Sequence, residues 1–172
     1  MRLKGFVYRA HNPKWAFAAN SGDGAAATGG RFNPVGMQAL YTSLRFETAW
    51  LEAQQGFPFK AQPMTLCAYE VDCQDVLDLT DAAVLAGQGI SPADLGCAWK
   101  DLSARGITPP SWAMTQRLAG AGTAGIIVPS FASGAGAGDV NVVFWHWAAD
   151  PPHRVRVIDD AGRLPRDGRS WR

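Results

Sequence analysis

The apolar segments of this 172-residue chain do not alternate regularly between extended and helical periodicity. Extended patterns fall at residues 5–9, 38–43, 64–71, 76–79, 125–129, 140–147 and 154–158. Helical patterns fall at 46–55, from a Ser91 cap to about residue 102, and at 111–118. The order is strand, strand, helix, strand, helices, strands. A doubly wound parallel sheet needs strand and helix in turn, so that class is excluded. The pattern predicts an α+β fold, one domain of mixed, mostly antiparallel sheets with packed helices. Hydrophobic residues make up 47% of the chain and charged residues 18%, enough apolar surface for a real core. No internal repeat or composition shift marks a second domain, so residues 1–172 read as one unit, with 160–172 as a tail.

Two segments bear on function. Residues 11–28 are rich in Ala, Gly, Asn and Asp and carry little periodic signal, which predicts a long loop. In the helix at 46–55, Phe46, Ala49, Trp50 and Ala53 make an apolar stripe that predicts the buried face. At 100° per residue Glu52 lies about 110° from the centre of that stripe, on a flank where a carboxylate can border a cleft. Gly56-Phe57-Pro58 ends the helix.

Several classes are set aside by composition. The formal net charge is +1, which argues against broad electrostatic capture of nucleic acid or an anionic membrane. The arginines near the C-terminus are interleaved with acids and read as solvated. Cys67, Cys73 and Cys97 have neither disulfide-framework nor zinc-site spacing, and buried thiols in strands or helices are expected. The apolar stretch at residues 5–8 is too short for a signal-peptide core, and no run is long enough to span a membrane. A cytoplasmic protein is the expectation.

Four features could carry chemistry. Gly29-Gly30-Arg31-Phe32-Asn33 allows a sharp turn and close approach of a ligand, with an arginine able to clamp a phosphate or carboxylate. It lacks the P-loop pattern, and by itself a surface turn explains it better. Tyr41, on its strand, could stack on a ligand ring. Glu52 could stabilise a developing oxocarbenium ion, and Glu47 is the blander of the two glutamates. Ser130 follows the apolar run Gly125-Ile126-Ile127-Val128-Pro129 at a strand end, without a nucleophile-elbow pattern. His11, His146 and His153 are scattered, and His146 reads as a structural histidine on a strand face.

Taken in order, Tyr8-Arg9, Gly29-Gly30-Arg31-Phe32-Asn33, Tyr41, Thr48-Ala49-Trp50-Leu51-Glu52, Gly125-Ile126-Ile127-Val128-Pro129-Ser130 and Asn141-Val142-Val143-Phe144 resemble the RES domain family. No single piece is specific; the ordered set with this spacing is. The resemblance implies a fold like that of the diphtheria-toxin type of ADP-ribosyltransferase. It implies a toxin of a bacterial toxin–antitoxin pair that uses NAD+ as substrate, without a metal. The expected partner is an Xre-like antitoxin protein that blocks the active site, and a protein target of ADP-ribosylation is a further option beside water and phosphate as acceptor. Direct binding of nucleic acid or membrane is not expected.

Carried over by position, the resemblance makes Arg31, Tyr41 and Glu52 the catalytic set. Arg9, Tyr8, Gly30, Asn33, Ser130 and Asn141 become NAD+-binding residues. Glu52 would stabilise the cation and hold a ribose hydroxyl or the acceptor, with Tyr41 stacked on nicotinamide. Arg31 and Arg9 would hold phosphates and ribose, and Ser130 would bond near the nicotinamide ribose. Three departures stand out: Phe32 in place of tryptophan, Arg45 in place of a helix-capping serine, and Val128 in place of tyrosine. Two other classes stay open, a ribonuclease toxin, which would need a basic groove, and a non-catalytic protein-binding module.

Overall fold

The computed structural model describes residues 1–55 and 61–169. In chain order it contains β1 (Leu3–His11), a 3-10 turn (Pro13–Ala18), α1 (Asp23–Thr28), β2 (Leu40–Ser43), α2 (Phe46–Gln54), β3 (Thr65–Cys73) and β4 (Val76–Asp78). There follow α3 (Ala82–Gly87), α4 (Pro92–Leu95), α5 (Trp99–Ala104), α6 (Pro110–Gly120), β5 (Gly125–Pro129), β6 (Val140–Phe144) and β7 (His153–Val157). The seven strands form one sheet in the order β4-β5-β6-β2-β1-β3-β7. Only the β4–β5 pair is parallel; every other neighbouring pair is antiparallel. The predicted α+β class is the one observed.

The period-two alternation of strands explains why the core has two faces. In β5 and β6, Ile127, Val142 and Phe144 join one buried cluster with Val7, Leu40, Tyr69 and Val155. Their neighbours Ile126, Val128 and Val143 join the other, with Phe32, Leu95, Met114 and Leu118. Helices α4 and α6 and the Phe32 turn cover that second face. With residues of both faces buried, β5 and the end of β6 after Asn141 read as continuous apolar runs rather than alternating ones.

Several expectations are corrected. Residues 11–28 are not one loop. Asn12 caps the 3-10 turn by accepting from Lys14 N, and the Ser21 hydroxyl accepts from Asp23 N at the start of α1. Local capping, invisible to apolar periodicity, organises the segment. The helix expected from Ser91 to residue 102 is broken at 96–98 into α4 and α5, so Cys97 lies between helices. Helix α3, capped by Asp81, was not expected from the pattern. Strand β6 stops at Phe144, and His146 is an exposed bend residue rather than a strand-face one. Gly56-Phe57-Pro58, expected to stop α2, lies outside the described residues.

The face of α2 is corrected as well. Phe46 and Trp50 are 51% and 38% exposed, whereas Thr48 and Ala49 are buried. The helix is rotated so that a polar residue faces the sheet. Arg45 supplies no capping hydrogen bond, as its departure from serine implies.

Candidate functional site

The site originates in a defect of the sheet. β1 pairs with β3 along its whole length, but with β2 only at Tyr8 opposite Ser43. Beyond that point the two central strands part. Arg9, Ala10 and His11 of β1 and Tyr41 and Thr42 of β2 then line a cleft of about 310 Å³, with Ala49, Glu52 and Ala53 of α2 and Asn141 of β6. A second cleft of about 260 Å³ is lined by Gly30, Arg31, Phe32, Trp99 and Phe131. The two clefts share Tyr41, Glu52 and Asn141. Glu52 therefore stands where two chambers meet.

Its carboxylate is held by residues distant in sequence. Oε1 accepts from Ser130 Oγ at 2.6 Å and from Asn141 Nδ2 at 2.5 Å. Oε2 accepts from the exposed Gln55 amide. The Ser43 hydroxyl donates to Asn141 Oδ1 at 2.7 Å, which turns the Asn141 amino group toward Glu52. One carboxylate oxygen is thus fixed by two inner donors, and among the described residues the other meets only a surface side chain. Ser130, expected to bond near a ribose, donates a hydrogen bond from its hydroxyl to Glu52 in this structure.

A second contact fixes the helix carrying Glu52. Thr48 Oγ1 donates to Asp139 Oδ1 at 2.5 Å. Thr48 and Glu52 are four residues apart, about 6 Å along a helix axis. Asp139 and Asn141 are two residues apart, about 6.6 Å along an extended chain. The matched spacings let the start of β6 grip α2 at two points. The hydrogen bonds from Thr48 and from Gly136 N hold the Asp139 carboxyl below its usual pKa.

The glycine–arginine turn is built differently. Asn33 is fully buried; its amino group donates to the carbonyls of Ala25, Pro34 and Met37, and Oδ1 accepts from the Tyr41 hydroxyl at 2.7 Å. Tyr41 also accepts from Phe32 N at 2.9 Å, and burial pushes its phenol pKa up. A Cβ on Gly30 would run into the Tyr41 hydroxyl and Asn33 Oδ1, so glycine is required there for close approach. Asn33 is therefore corrected from a ligand contact to the pin of the turn. The Tyr41 hydroxyl is committed inside the protein, while its ring lines both clefts.

Arg31 leaves this turn and is seated by the break between α4 and α5. Nη1 donates to Leu95 O at 3.3 Å and to Cys97 O at 2.7 Å, carbonyls at the interruption between the two helices, of which Cys97 O also accepts from Trp99 N. The guanidinium lies 4.5 Å from the centre of the Phe131 ring. Burial lowers its pKa, with Cys97, Glu52 and Tyr41 acting against the shift. Its aim into the second cleft is set by backbone rather than by another charge.

On the other side, Arg9 Nη1 donates to the carbonyls of Ala19 and Ser21 at 3.1 and 3.0 Å. Tyr8 lines the first cleft and stacks edge-on with Phe46 at 6.1 Å. His11 is neutral, its pKa lowered to about 4 by burial and by Arg9. Ser43, Thr48, Asp139 and His11 were not singled out as site residues by sequence. The polar pairs at 48/52 and 139/141 were the available signal, visible only once helix and strand are known to face each other. Among the described residues, no group of three or more His, Cys, Asp or Glu side chains could hold a metal, and no helix is long and apolar enough to cross a membrane.

The family model described as the RES domain matches residues 6–167. Among solved structures, the chain is similar to one in the crystal structure of the M. tuberculosis MbcT-MbcA toxin-antitoxin complex. That likeness has a TM-score of 0.63 at 21% identity, covering 92% of this chain and 84% of the other. No curated protein matches.

Proposed function

The chain belongs to the RES domain family, and on that premise we propose that it is the toxin of a toxin–antitoxin pair that cleaves NAD+. The carrying observation is Glu52, one oxygen pinned by Ser130 and Asn141, at the junction of two clefts flanked by Arg9 and Arg31. The bond that breaks joins the nicotinamide nitrogen to ribose C1′. Nicotinamide leaves neutral with the bonding electron pair, and the ribose is left as an oxocarbenium ion. Glu52 Oε2, whose only partner among the described residues is the surface Gln55 amide, stabilises that cation from a preorganised position. The Tyr41 ring flanks the leaving nicotinamide, and the two arginines on either side hold the pyrophosphate and ribose. A nucleophile then bonds to C1′ and loses its proton. Water, phosphate or a protein side chain could fill that role; the chemistry common to all three is ADP-ribosyl transfer.

The similar M. tuberculosis structure is a toxin-antitoxin complex, which supports the expectation of an antitoxin partner here. An Xre-like protein covering the cleft would regulate the enzyme by excluding NAD+. The test is to incubate the protein separately with NAD+ and with RNA, measuring free nicotinamide and intact RNA. The expected result is nicotinamide release with RNA untouched. RNA cleavage with NAD+ unchanged would overturn the proposal, as would full activity in Glu52→Gln.

A further inference from the structure

A third groove, of about 400 Å³, opens off the first cleft. Arg9 and His11 belong to the walls of both. The rest of the groove is formed by the 3-10 turn and α1, where Trp15, Phe17 and Asp23 line it. Trp15 and Phe17 stand 55% and 38% exposed with ring centres 6.2 Å apart. Lys14 lies 5.4 Å from the centre of the Trp15 ring. Two neighbouring aromatic side chains left this open on one wall are a surface that a flat ring can cover.

We infer that this groove seats the adenine base of the dinucleotide and makes Trp15 and Phe17 the residues that select a dinucleotide over a mononucleotide. The inference rests on reading the Glu52 cleft as the site of NAD+ cleavage. Three observations carry it. The first cleft of about 310 Å³ and the groove of about 400 Å³ lie at the small end of the range for ligand sites, so each suits one nucleoside half of a dinucleotide. Arg9 stands in the wall they share, where the pyrophosphate linking the halves would cross. Asp23 borders the far groove, with Oδ1 accepting from Gln38 at 2.6 Å. A carboxylate there disfavours another phosphate and suits a neutral base carrying an amino donor.

Both aromatic residues are exposed enough that alanine variants keep the core intact, and matching thermal midpoints would verify this. Binding of AMP and of nicotinamide mononucleotide is measured by calorimetry for the full chain and for Trp15→Ala and Phe17→Ala. Trp15→Ala is expected to weaken AMP about tenfold, the scale of one lost base–aromatic stack, and to leave nicotinamide mononucleotide unchanged. KM for NAD+ rises by the same factor while kcat holds. Unchanged AMP affinity in both variants overturns the inference, as does an equal loss for both mononucleotides. Loss of antitoxin binding with AMP binding intact also overturns it, because the groove would then serve a protein. Nicotinamide release without any effect of Trp15→Ala on AMP rejects this groove alone. An AMP site that depends on Trp15 in a protein releasing no nicotinamide keeps the groove and rejects the cleavage.

Discussion

The two walls of the central cleft use their polar residues in opposite ways. On the side of the glycine–arginine turn, Asn33, Gly30 and the Tyr41 hydroxyl satisfy one another, and little of their bonding capacity reaches the cleft. On the side of α2 and β6, Ser130 and Asn141 converge on one oxygen of Glu52, Ser43 orients Asn141 from behind, and the other oxygen meets the exposed Gln55 amide. The first wall is a closed network that sets shape. The second is a network with an open end, and that end is where charge can be stabilised. Residues that stand together in a motif are thus divided between building and chemistry according to whether their hydrogen bonds close among themselves.

Substitutions should separate the two walls. The largest effect is expected for Glu52→Gln, which keeps shape and removes charge: nicotinamide release should fall by about 10²–10³-fold, as for loss of one preorganised electrostatic group, with the thermal midpoint nearly unchanged. A large loss of stability instead would make Glu52 part of the shape-setting wall. Asn33→Ala should do the reverse. It leaves the Tyr41 hydroxyl and several inward carbonyls without a partner, at a cost of about 2–4 kcal/mol in urea unfolding. A stable Asn33→Ala protein that had lost only NAD+ affinity would return Asn33 to the role of ligand contact.

A smaller effect tests whether the Glu52 network acts as a chain. Ser43→Ala frees the Asn141 amide to turn its oxygen toward Glu52, and kcat should drop about tenfold with KM held. In an Asn141→Ala background the same change should cost almost nothing, because the link it acts through is gone. Full additivity would mean that Ser43 matters only to packing.

The smallest effect concerns His11, which borders the cleft on the Arg9 side. Its folded pKa is lowered from 6.5 to about 4. Between those values the unfolded chain takes up a proton that the folded chain refuses, so stability falls as pH drops through this window. His11→Gln should flatten that part of the stability–pH curve, and an unchanged curve would show that His11 does not couple to folding.

Much of the fold was legible in the chain. Strands β3, β5 and β7 and helix α6 follow from periodicity and flanking Gly or Pro, because burial on a face repeats at 2 or 3.6 residues, whereas the same reasoning placed α2 but not its buried face. Segment 11–28 was not legible, since its order comes from capping by Asn12 and Ser21 rather than from an apolar stripe. The break at 96–98 was not either, because Gly96 alone does not end a helix begun so well by Ser91 and Pro92.

The sequence by itself determined the ordered motif set, and its resemblance to the RES domain family marked Arg9, Arg31, Tyr41, Glu52, Ser130 and Asn141 as the candidate residues of the site. Tertiary structure decided what each does. Whether a hydroxyl, amide or guanidinium is free for a ligand depends on which backbone groups are left without partners nearby. Arg31 is aimed by carbonyls 64 and 66 residues away, and Glu52 is held by donors 78 and 89 residues away. Hydrogen bonds act over about 3 Å, so only the folded arrangement assigns them.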